Sequence, residues 1–134
     1  MTRTEARELL MQLLFQMEIQ NDYSDEIKNK YIDDHFKKDN QLQYALKLSS
    51  TVISHLSEID ATLGKSSPKW NTQRMAKVDL AIARLAIGEV LYMEDIPDAV
   101  AINEAVDMAK KYSAEDSKKF INGVLGQIVK QKND

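Results

Sequence analysis

The sequence predicts an all-α protein. Three observations carry that prediction. Apolar residues recur every three to four positions through most of the 134 residues. Breakers are scarce, with four glycines and two prolines. No stretch shows the strict apolar–polar alternation of a half-buried strand. The length suits one domain, 1–134, with a real core and no room for a second of ordinary size.

Each helix has its own justification. Thr2 with Glu5 three residues later makes a capping box for a first helix. Its inward side holds Ala6, Leu9, Leu10, Leu13, Leu14 and Met17, which leaves Arg3, Arg7, Glu8 and Gln12 facing out; it should end near Gln20 to Asp22. Ser24 caps a second helix built on Ile27, Tyr31, Ile32 and Phe36, closed by the polar run from Lys37 to Gln41. A third helix is expected from about Asn40 to Leu63, with Gly64 as its C-terminal stop. KSSPKWN reads as a loop whose Trp70 anchors in the core. A fourth helix runs from near Thr72 to Met93, and its middle, VDLAIARLAIGEVLY, is apolar nearly all round. Such a helix is central, with neighbours on most sides. Pro97 suits the first turn of a fifth helix that uses Ile102, Ala105, Val106 and Ala109. Ser113, followed three residues later by Asp116, caps a last helix that turns Ile121, Val124, Leu125 and Ile128 inward.

Composition narrows the function. Apolar residues make up 43% and charged ones 29%, as in a soluble globular protein. No apolar run has the length of a membrane span, so no membrane partner is expected. The N-terminus is charged from its third residue and is not a secretory signal. There is no cysteine, which excludes disulfides, thiolate catalysis and Cys-based zinc sites, and permits a reducing compartment. The two histidines, His35 and His55, belong to no HExxH or ExxH pattern. No serine sits in GxSxG, and no Gly-rich loop is present to cradle a phosphate. The chain therefore reads as a non-enzyme with no metal and no cofactor.

Charge is unevenly spread. The net charge is −3, yet Lys110 to Lys132 holds six lysines against two acids. That basic end is either a solvated helix face or a surface for polyanions. Within the central helix, Asp79, Arg84 and Glu89 are spaced by five, too far round the helix for neighbouring acid and arginine to pair. They are rim positions, or a polar strip that meets another helix or another protein. Arg84 should find a tertiary carboxylate, because an unpaired buried charge is costly; Asp79 should lie at a surface edge.

The stretch SAEDSKKFINGVL, Ser113 to Leu125, is the most unusual. Asp116 suits a helix start. Lys118 and Lys119 fall on the side away from Ile121 and Val124, and Phe120 at the edge of the apolar stripe. Gly123 removes a side chain where another helix could pass closely. Lysines flanking a partly exposed aromatic suit single-stranded RNA, with the cations on phosphate and the ring on a base. The alternative is two solvated lysines beside a core Phe.

Together, RxxARELLMQLLFQ at Arg3 to Gln16, RMAKVDLAIARLAIGE at Arg74 to Glu89, and IPDAVAINEAVDMAKKYSAEDSKKFINGVL at Ile96 to Leu125 resemble the NusB family of bacterial transcription antitermination factors. The resemblance implies an all-α fold of six to seven helices arranged as two small helical bundles. It implies a cytoplasmic, non-enzymatic factor that pairs with NusE, a small ribosomal subunit protein. The pair would bind boxA RNA, notably in ribosomal RNA leaders, and help load an antitermination complex on RNA polymerase. The implied RNA contacts are Arg3, Arg7, Gln12, Lys118, Lys119 and Phe120, with Asp116 as a modulating acid. Asp79, Arg84 and Glu89 match the NusE-facing side. The protein itself is expected to be a monomer or weak homodimer. Many family members start with a dense arginine cluster; here Met1 to Gln20 holds two arginines against three acids, so weak boxA binding and strong dependence on NusE are expected. A helical adaptor that binds protein alone is the competing reading.

Overall fold

The structure, a computed structural model, describes residues 1–67 and 74–134. The expectations for Trp70 and for a helix start at Thr72 lie outside the described residues. Among the described residues, seven helices follow in order: α1 Arg3–Gln20, α2 Asp25–Phe36, α3 Leu42–Ser54, α4 Leu56–Ser66, α5 Lys77–Tyr92, α6 Asp98–Tyr112 and α7 Ser117–Lys132. The all-α fold class is as the sequence predicts, with no strand among the described residues.

Local chemistry sets most ends. The capping box of α1 is complete: the Glu5 N–H donates to Thr2 Oγ1 at 3.0 Å, and the Thr2 N–H donates to Glu5 Oε1 at 2.9 Å. Asn21, at φ 52°, closes α1 in the left-handed conformation that Asn tolerates. The Ser24 hydroxyl accepts the Ile27 N–H at the start of α2.

The expected third helix is two. It breaks at His55, whose φ of −113° and ψ of 22° leave the helical region. No Gly or Pro marks the spot, so periodicity runs straight through it. The reason is tertiary. α3 packs against α2 and α5, whereas α4 packs against α5 and α7. The His55 ring stacks on Tyr92 of α5 at 4.1 Å between centroids, which seats the joint. Gly64 lies inside α4 and stops nothing.

α5 is the axis. Every residue from Asp79 to Val90 is buried, as the all-round apolar pattern requires. It is packed by α1, α3, α4, α6 and α7. The helices sort into two groups that share it: α1, α2 and α3 on one flank, and α4, α6 and α7 on the other. The close helix approach is at Gly88, where a Cβ would stand 2.6 Å from Val52 Cγ2 of α3. Gly123 was the expected place for such a contact, but a Cβ there meets nothing within 4 Å, and the residue faces solvent.

Candidate nucleic-acid interface

The basic start of α7 is positioned from beneath by Asp79. Its carboxylate accepts hydrogen bonds from the Ser113 and Ser117 hydroxyls, the latter at 2.9 Å, and the two hydroxyls lie 2.9 Å apart. Ser113 therefore ends α6 and is tied to α5; it is not the cap of α7, which begins at Ser117 after Asp116. Asp79 is 7% exposed, not at a surface edge, because the α6–α7 turn folds over the first turn of α5. Two hydroxyl donors make burial of this carboxylate tolerable.

That anchored turn presents the residues singled out in the sequence. Lys119 and Asp116 are exposed, and Lys118 and Phe120 half-buried. Phe120 packs on the edge of the core, where the apolar stripe placed it. Asp116 makes no capping hydrogen bond, so its charge stands beside the two lysines.

The start of α1 differs from expectation. Arg3 is half-buried: its Nε donates to Gln41 Oε1 at 2.6 Å, and its guanidinium lies 4.0 Å from the Tyr44 ring centroid. Arg7, expected to face out, is 2% exposed. Its Nε is 3.1 Å from both Glu89 carboxylate oxygens, and its Nη1 is 3.4 Å from Glu104. Tyr44 completes the cluster by donating to Glu89 Oε2 at 2.9 Å. Burial alone would lower the Arg7 pKa, but the Glu89 hydrogen bonds and charge hold it above its ordinary value. A helical wheel assigns arginine to solvent; only a carboxylate 82 positions away draws this one inward. Gln12 is exposed as expected, in a groove between α1 and α2 beside Gln16, Lys30 and Tyr31.

Arg84 finds the tertiary carboxylate expected of it, and a second one. It is 5% exposed, pairs with Asp60 through Nε at 2.9 Å and Nη2 at 2.8 Å, and donates from Nη1 to Glu18 at 2.8 Å. Glu89 is 1% exposed. Asp79, Arg84 and Glu89 are thus a polar strip that meets other helices of the same chain, not rim positions.

One set of groups escaped sequence reasoning. Glu8 of α1 accepts from Lys111 Nζ at 2.8 Å and from the Tyr112 hydroxyl, both at the end of α6. Glu8 and Lys111 are 103 positions apart, and no local pattern links them.

Residues 4–130 match the NusB family. The chain belongs to the NusB family. It is 46% identical over 132 residues to the transcription antitermination protein NusB of Acetivibrio thermocellus, covering 98% of this chain and 91% of that one. The NusB of Natranaerobius thermophilus is 43% identical over 136 residues, with 99% and 98% covered. The fold is similar to that of T. maritima NusB, with a TM-score of 0.88, 32% identity, and 98% and 92% coverage. It is also similar to NusB in a crystal structure of antitermination factors NusB and NusE in complex with double-stranded RNA, with a TM-score of 0.84, 27% identity and 96% of each chain covered. The NusB segments named from the sequence, Arg74 to Glu89 and Ile96 to Leu125, supply α5, α6 and the α6–α7 turn described above.

Proposed function

We infer that this NusB-family chain is a transcription antitermination factor that pairs with NusE and binds boxA RNA, notably in ribosomal RNA leaders, to load an antitermination complex on RNA polymerase. One observation carries the reading: the likeness, over 96% of both chains, to NusB in a complex with NusE and RNA. The chemistry of the α7 start supports it. Lys118 and Lys119 suit phosphates, and Phe120 offers a ring edge to a base. Arg3 and Gln12, on α1, are the further RNA contacts of this reading. Arg7 acts from below, holding Glu89 between α1 and α5. Asp79, Arg84 and Glu89 likewise support a NusE-facing side from within, since each is bonded inside the chain. Asp116 opposes RNA by charge, so Asp116→Asn should tighten binding.

Fluorescence anisotropy of labelled boxA-type RNA, with and without NusE at two salt concentrations, tests this. Scrambled RNA and a Lys118→Glu/Lys119→Glu variant are the controls. Sequence-selective binding that NusE strengthens and the double variant loses is expected. Binding to NusE with no dependence on RNA sequence or on the lysines would replace the reading with a protein-only adaptor.

A further inference from the structure

We propose that Lys111 and Tyr112 form a further RNA subsite, latched shut in the free protein by Glu8, which an RNA phosphate displaces. The proposal rests on the RNA-binding reading above and deepens it. Its basis is a geometry that packing does not require. Among the described residues, Tyr112 is one of three large apolar side chains left exposed, at 38%. It is the last residue of α6 and faces solvent beside Lys111, whose ammonium lies 5.2 Å from the ring centroid. A cation next to an exposed ring is the pair that single-stranded nucleic acid uses, phosphate on one and base on the other.

The subsite lies close to the α7 lysines. Tyr112 precedes Ser113 and Lys118 follows Ser117, and those two serine hydroxyls are 2.9 Å apart. Adding one residue step at each side keeps the Tyr112 and Lys118 backbones within about 15 Å. One RNA segment can cross both.

Glu8 is the latch. Its side chain is largely covered, whereas that of Lys111 is mostly in water. The carboxylate takes the lysine charge and the tyrosine hydroxyl together. It spends the two groups that RNA would use, and it places a negative charge where a phosphate would arrive. With its lysine mostly in water, the ion pair is weak enough for a polyanion to break. The exchange forms no covalent bond: Lys111 trades one oxygen anion for another, and the Tyr112 ring becomes free to stack.

The test is RNA titration of the full chain with NusE across a salt series, using the same labelled RNA. Glu8→Gln should tighten binding by up to about fivefold. Lys111→Gln should weaken binding and reduce the salt slope by about 0.7, one phosphate on a single strand. Tyr112→Ala should cost roughly five- to a hundredfold. In Glu8→Gln/Lys111→Gln the gain from Glu8→Gln should vanish. The three positions changed are at the surface or its edge, and circular dichroism verifies that each variant is folded. If Lys118→Glu/Lys119→Glu loses RNA while Lys111→Gln and Tyr112→Ala match the wild type, the subsite is wrong and the RNA-binding reading survives. If Glu8→Gln binds no tighter than wild type, the latch is wrong. If the wild type binds no RNA even with NusE, both the reading and the subsite fall.

Discussion

Arg7 and Glu89 face each other across the α1–α5 interface, with one guanidinium nitrogen 3.1 Å from both carboxylate oxygens and both side chains almost wholly buried. The pair ties the first helix to the axial one. Glu104 and Tyr44 satisfy what the pair leaves over, so α3 and α6 are tied to the same point. The surfaces of α1 and α6 are thereby held in fixed relation.

Removing one partner should therefore cost more than an ordinary surface change. Arg7→Ala leaves a buried carboxylate with only the Tyr44 hydroxyl, and a loss of about 3–5 kcal/mol is expected. Replacing both by apolar residues of similar volume, Arg7→Met with Glu89→Leu, should recover most of it. Urea denaturation of the single and double variants measures this. Equal losses in Arg7→Ala and an exposed control such as Lys130→Ala would contradict a buried pair.

The glycines of α5 and α7 should respond in opposite directions. A Cβ at Gly88 would press on Val52, so Gly88→Ala should destabilise by about 1–3 kcal/mol. Gly123 and Gly126 meet open space in the middle of a helix, so alanine there should stabilise by up to about 1 kcal/mol each. Thermal melts of the three variants decide it.

Acid stability should depend on Glu18. The Tyr23 hydrogen bond chiefly, then those from Arg84 and Lys77, outweigh burial and hold its carboxyl at about 2, against an ordinary value of 4.5. The folded pKa lies below the unfolded one. The contribution is therefore complete above about 4.5 and is lost as pH falls through about 2. Glu18→Gln should be less stable than the wild type at pH 7, and the gap should narrow steadily between pH 4.5 and 2. Parallel stability–pH profiles for the two proteins would refute the assignment.

Asp79 should couple stability to the α7 surface. Asp79→Ala removes the acceptor shared by Ser113 and Ser117, for an expected loss of about 1–3 kcal/mol. Amide hydrogen exchange should rise first in the turn from Ser113 to Ser117 and in the opening turn of α7. RNA affinity should fall even though Lys118 and Lys119 are intact. Unchanged exchange in that segment would show that the turn does not need Asp79.

What the sequence determined by itself was local or periodic. The capping box at Thr2, the Ser24 cap, the end of α1 near Gln20 to Asp22 and the axial helix VDLAIARLAIGEVLY are each written within a few residues of where they act. The same holds for Lys118, Lys119 and Phe120, whose positions around α7 follow from the spacing of Ile121 and Val124. The tertiary structure decided the rest. It buried Arg7, Asp79 and Glu89, broke a continuous periodic stretch at His55, moved the close helix contact from Gly123 to Gly88 and brought Glu8 to Lys111. The physical reason is common to all of these. A charge or a small residue declares its type in sequence, but its partner lies tens of positions away, and only packing around α5 brings the two together.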